Sequence, residues 1–249
     1  MFMDKRSKRP DSVTGEGPAM PIGKQDVLDT LNQPAVNRFK FTVGSLTVSP
    51  HGYADVRQAI IDGDIDVKPG GASDAFYDRR LNAILTQNGN PPLGVADRAQ
   101  ILHECTHAIF DAYGWASNLR EDEVAAYLAQ LTFMFIVNPG PFPHHIGRTG
   151  KPFADLIFGF AAVIEKYRLH ETAGFGALID PIDTEELKLL VVQMPKYAGL
   201  RPADLSSDGG VPGTHSQIDA LRRAMRGARR PSVRYSNMPG RQPSRKLVF

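Results

Sequence analysis

Apolar positions along the chain switch between two spacings. Arg38-Phe39-Lys40-Phe41-Thr42-Val43 alternates, and after Gly44-Ser45 the alternation resumes in Leu46-Thr47-Val48, which predicts a hairpin. Gly63-Asp64-Ile65-Asp66-Val67 alternates as a strand, followed by a Lys68-Pro69-Gly70-Gly71 loop. Leu81 to Thr86 predicts another strand, closed by Asn88-Gly89-Asn90-Pro91-Pro92. Helical spacing takes over elsewhere: a short segment from Gln25 to Leu31, then Tyr53 to Asp62 with Val56, Ile60 and Ile61 on one side.

The longest helical pattern runs from Val95 to Tyr113, with Ala99, Leu102, Thr106, Ile109 and Phe110 on one stripe. Asp97 suits its positive first turn and Gly114 its end. A second helix is predicted over Arg120–Val137, stopped by Asn138-Pro139-Gly140-Pro141, a third over Phe153–Leu169, and a fourth over Thr184–Met194. Beyond Pro202 only Ser216–Met225 has helical spacing, and no internal repeat is present. Strands and helices mixed in this way predict an α+β fold.

Composition adds bounds. With 249 residues, 42% of them hydrophobic, the chain can bury one sizeable core, with at most a smaller subdomain beside it. Residues 1–24 are polar and carry no apolar leader, so they read as a disordered segment rather than a secretory signal. No apolar stretch nears the ~20 residues of a membrane span, so the default expectation is a soluble cytoplasmic protein. Cys105 is the single cysteine, which excludes an intrachain disulfide. Residues 221–249 carry nine Arg or Lys and no acid, and residues 1–24 carry five basic and three acidic groups. Of the 29 basic and 27 acidic residues, 25–220 therefore holds 15 and 24, a net of −9. An acidic body thus precedes a basic, Gly/Pro/Ser-rich tail over 201–249. That tail is either a disordered solubilising segment or a binder of an anionic partner.

Chemistry concentrates in His103-Glu104-Cys105-Thr106-His107. Two histidines four apart on a helix project from one face, the arrangement a tetrahedral Zn²⁺ takes from two imidazoles. Glu104, offset by one position, lies beside the metal, where it can take a proton from a zinc-bound water. A catalytic zinc wants a third protein ligand, and acids follow in Glu121-Asp122-Glu123. Cys105 points off this face and reads as a small core residue.

The string Leu102-His103-Glu104-Cys105-Thr106-His107-Ala108, followed by Asp122-Glu123-Val124-Ala125-Ala126-Tyr127, resembles the zincin superfamily of metallopeptidases. The likeness is to its gluzincin branch and spans roughly residues 75–135. It implies Glu123 rather than Glu121 as the third ligand, a zincin-like domain over 25–200, and a small sheet whose edge strand packs on the metal helix. Leu81–Thr86 is the candidate for that edge, along which an extended peptide substrate would pair. The third-histidine pattern of metzincins is absent. The sixteen positions from His107 to Glu123 also resemble small bacterial minimal zincins, some of which are regulators.

The activity implied is peptide-bond hydrolysis by a zinc-activated water with Glu104 as general base. Candidates for oxyanion donor are Tyr77, Tyr113, His144 and His145, although the two histidines read first as surface loop residues. Asp111, four after His107, can accept from the free ring N–H of a ligand histidine or be an exposed helix acid. Two other readings share these residues: a non-catalytic zinc-stabilised regulator whose basic tail binds an anionic partner, and an effector toxin using the same site.

Overall fold

The computed structural model describes residues 20–70, 75–89, 92–115, 119–139 and 151–197. Along the chain these form β1 (Met20–Pro21), α1 (Lys24–Leu31), β2 (Phe41–Val43), β3 (Leu46–Val48), α2 (Pro50–Asp62), β4 (Asp66–Pro69), β5 (Phe76–Asp78), β6 (Ala83–Thr86), β7 (Asn88–Gly89), α3 (Val95–Tyr113), α4 (Leu119–Val137), α5 (Pro152–Lys166), β8 (Ala177–Ile179) and α6 (Pro181–Val191). Short 3-10 turns lie at Pro34–Asn37, Thr172–Gly174 and Pro195–Tyr197. The fold is α+β. Among the described residues no helix is long and apolar enough to cross a membrane.

Helix α3 is the centre. The Asp97 carboxylate accepts from the Gly94 N–H (3.1 Å), which sets its start, and Gly114 in the left-handed region (φ 62°) ends it. Ala99, Ile101, Leu102, Cys105, Ala108, Ile109 and Phe110 are all fully buried, so α3 meets neighbours around most of its circumference. Helix α4 runs antiparallel to it. Gln100 meets Gln130, His103 meets Tyr127 and His107 meets Glu123, so contacts progress in opposite directions along the two helices. Buried Ala125, Ala126 and Ala129 leave room for that approach. Helix α5 packs outside α4, where the Phe160 ring stands edge-on to Tyr127 at 5.7 Å.

Two three-stranded sheets flank the helices. The predicted hairpin β2–β3 forms, with Thr42 opposite Thr47 and their hydroxyls 3.0 Å apart. Its outer neighbour is β8, which pairs parallel to β2 across most of the chain's length (Phe41↔Ala177, Val43↔Ile179). The second sheet has the order β4-β6-β5, with β4 parallel and β5 antiparallel to β6.

That order corrects the edge-strand assignment. Ala83–Thr86 is the middle strand, consistent with burial on both of its faces. The edge that packs on α3 is β5. The tight turn between β5 and β6 explains the difference. Asp78 accepts from the N–H groups of Arg80 (2.8 Å) and Leu81 (3.1 Å). Asn82 takes the left-handed conformation (φ 48°) that asparagine tolerates. Leu81 and Asn82, expected in the strand, belong to this turn.

Other boundaries move as well. Met20–Pro21, expected within a disordered lead, pairs antiparallel with Asn88–Gly89, and Ile22 is buried beneath it. Lys68 and Pro69, expected in a loop, continue β4 opposite Leu85 and Thr86. Helix α6 starts three residues early, because Asp180 caps it by accepting from the Ile182 N–H (2.8 Å) and Pro181 fits its first position. The possible helix at 216–225, the basic tail and residues 1–19 lie outside the described residues.

Candidate metal centre

One helical turn separates His103 from His107 on α3, and their Nε2 atoms stand 3.2 Å apart. From α4, Glu123 presents Oε2 at 3.4 Å from His103 Nε2 and Oε1 at 3.8 Å from His107 Nε2. The three residues form a group whose ligand atoms all lie within 4.8 Å of one another. Ligands held ~2.0–2.1 Å from a tetrahedral ion are about 3.3–3.4 Å from each other, so this triangle is already near the size a Zn²⁺-like ion needs. His103 is 2% exposed and Glu123 7%, so water reaches the donors poorly. Two imidazoles and a carboxylate, held together with little solvent, can hold a divalent ion.

Each donor is oriented by neighbours. The His103 ring stands edge-on to Tyr127, centroids 4.7 Å apart. His107 Nδ1 lies 3.5 Å from Asp122 Oδ1, long for a hydrogen bond but within ion-pair range. The other Asp122 oxygen, Oδ2, accepts from Arg79 Nη2 at 2.5 Å. Burial alone would push the His107 imidazole down. The Asp122, Glu123 and Glu104 carboxylates outweigh it and raise its pKa to about 9.

Glu104 lies beside this group, buried at 5% exposure. Its Oε2 accepts from the Tyr77 backbone N–H on edge strand β5 (2.9 Å) and its Oε1 from Gln100 Nε2 one turn earlier (2.8 Å). Gln130 on α4 reaches Gln100 Oε1 at 3.5 Å, so two amides extend the polar strip along α3. Within that strip of Gln100, Gln130 and Glu104, Glu104 is the ionisable side chain and lies adjacent to the two histidines.

The structure separates the two candidate acids of α4. Glu121 accepts from Lys188 of α6 at 2.8 Å, while Glu123 faces the histidines. Tyr77 contributes through its backbone, whereas its hydroxyl is committed to Asn82 Oδ1 (2.7 Å) and Asp111 Oδ2 (2.9 Å). The carboxylate beside His107 Nδ1 is therefore Asp122, and Asp111 serves Tyr77 instead. Tyr113 donates to Asp55 on α2 and stacks on Trp115 at 4.8 Å, turned toward α2. His144 and His145 lie outside the described residues. Cys105 is buried in the core, and burial pushes its thiol well above the usual range.

Several neighbours of the centre escaped the sequence reading. Asp122 and Tyr127 were visible only as members of the α4 string. Arg79 and Gln100 carried no motif. Tyr197 comes from the 3-10 turn after α6, and its buried side chain lies within reach of the Glu123 charge. Burial first, then the Glu123 charge, raises its pKa far above that of a free phenol. No local pattern signals a residue delivered from so far along the chain.

Comparison of the chain with known protein families, curated proteins and solved structures returns no match.

Proposed function

We propose that this protein is a zinc-dependent metallopeptidase of zincin type. In this reading α3 is the metal helix, α4 the glutamate helix of the gluzincin branch, and β5 the edge strand. The observation that carries it is the His103/His107/Glu123 triangle with the buried carboxylate of Glu104 alongside. His103, His107 and Glu123 would hold the ion and leave a position open. Zinc is the ion that two imidazoles and one carboxylate favour, and Mn²⁺, Co²⁺ or Fe²⁺ can replace it in vitro. When bound, the ion supplies a water of lowered pKa and polarises the scissile carbonyl.

The chain's own residues supply the rest. Glu104, steadied by Gln100 and the Tyr77 N–H, accepts the proton of the attacking water and passes it to the leaving nitrogen. The Tyr77 amide anchors the base to the strand along which a peptide would lie.

A second reading is a structural metal centre in a regulatory protein. The observation favouring it is that both oxygens of Glu104 already accept protein hydrogen bonds. Elemental analysis of the purified chain and its variants tests the first reading. It predicts one zinc per chain, lost in His107→Ala, weakened in Glu123→Gln and retained in Glu121→Gln and Glu104→Gln. A peptide library should then be cleaved by wild type and not by Glu104→Gln, with a rate loss of ~10²–10⁴-fold. A chain prepared without chelators that holds no zinc would refute the metal centre. Bound zinc with no cleavage of any peptide would favour the structural reading.

A further inference from the structure

The turn between β5 and β6 places a cation against the metal helices from outside. Arg79 is the first residue after β5, and its guanidinium meets Asp122 Oδ2 at 2.5 Å. Asp122 is 1% exposed in the first turn of α4, and its other oxygen, Oδ1, faces His107 Nδ1 at 3.5 Å. A carboxylate with one oxygen pinned can rotate little about its last torsion. The direction of Oδ1, and with it the ring plane of His107, then depends on Arg79.

We propose that Arg79 is a positioning residue of the metal centre, acting through Asp122 to hold His107 Nε2 toward His103 and Glu123. The inference rests on the metal-centre reading above. A plainer role, neutralising a buried acid, accounts for less of what is seen. The positive end of α4 already favours a carboxylate at Asp122. What the helix end does not provide is direction, and a planar guanidinium contact does.

The turn that presents Arg79 is itself fixed from several sides. Asp78 bonds the backbone of Arg80 and Leu81, and Tyr77 bonds Asn82 through its hydroxyl. Tyr77 also donates its backbone N–H to Glu104. Three consecutive residues therefore link the edge strand to both Glu104 and His107. Displacement of β5 would disturb the proton carrier and the metal ligand together.

Cobalt(II) binding to the full chain tests this, because its visible absorption reports the ligand geometry and its titration gives the affinity. In Arg79→Met, Co²⁺ should bind about 10–100-fold more weakly than in wild type, with an altered visible band, as expected when an outer partner of a ligand histidine is lost. Arg79→Lys, which keeps the charge but not the planar guanidinium, should recover only part of the affinity. Asp122→Asn, an isosteric change, is the second variant should Arg79→Met not fold. It should weaken binding similarly, and adding Arg79→Met or Arg79→Lys to it should bring little further loss, since both changes break one chain of contacts. A merely structural Arg79 would lower the melting temperature and leave the cobalt spectrum and affinity of the folded chain unchanged, which would overturn the proposal. So would an Asp122→Asn variant with wild-type affinity. Failure of the wild-type chain to bind Co²⁺ or Zn²⁺ would instead overturn the metal-centre reading, and this inference with it.

Discussion

If the centre holds an ion as proposed, raising the pH should destabilise the protein without metal while strengthening its hold on metal. In the metal-free fold His107 keeps its proton up to about pH 9, whereas an unfolded histidine loses it near 6.5. Between those values the native state binds more protons than the unfolded state, so stability falls as pH rises. The contribution is fully present below about 6.5 and is gone above about 9. A gap of that width corresponds to on the order of 3 kcal/mol at ~1.4 kcal/mol per pH unit. His107 is mostly buried, 12% exposed, so solvent screens its Asp122 and Glu123 partners little. Urea denaturation in the presence of a chelator, at pH 6 and at pH 9.5, measures the loss. His107→Gln, which has no proton to release, should show a much flatter dependence over the same range. Metal must displace the same proton, so apparent zinc affinity should rise about tenfold per pH unit up to about 9. Parallel stability curves for wild type and His107→Gln would refute the reasoning, as would zinc affinity independent of pH between 7 and 8.5.

Two further predictions concern the frame of the site. Glu121→Gln removes one of the two carboxylate partners of the nearly buried Lys188 ammonium, 2.8 Å away, and leaves Glu185 at 2.7 Å, so it should lower stability by no more than about 1 kcal/mol in thermal melts with zinc content unchanged. Loss of zinc in that variant would show that Glu121 shares the metal role. Tyr53→Phe removes a buried hydroxyl 2.8 Å from Thr106 Oγ1. Thr106 keeps its bond to the Leu102 carbonyl (2.8 Å), so the cost in urea denaturation should stay near 1 kcal/mol. A cost several times larger would mean that the Tyr53 hydroxyl organises α3 as well as bonding to it.

Much of this protein was legible one element at a time. The apolar stripe of α3, its stop at Gly114, the β2–β3 hairpin and the placement of His103 and His107 on one face all follow from spacing within a few residues. Near-neighbour sterics and hydrogen bonding decide such features. The same local logic set Glu104 beside the ligand face and Cys105 away from it. What spacing left open was settled by contacts between distant segments. Glu121 and Glu123 both belong to α4, and only the approach of Lys188 from α6 and of the histidines from α3 tells them apart. Ala83–Thr86 has the composition of any buried strand. Its central position depends on β4 and β5 pairing on either side, and β5 was hidden because a turn set by Asp78 and Asn82 follows three residues with no alternation to mark them. Strand β8, Arg79 on Asp122 and Tyr197 against Glu123 are likewise matters of packing, since each joins residues whose separation along the chain carries no periodic signal. The sequence by itself determined which side chains share a helix face. The tertiary structure decided which of them meet across helices and strands, because those meetings depend on buried surface and charge brought together only when the whole chain packs.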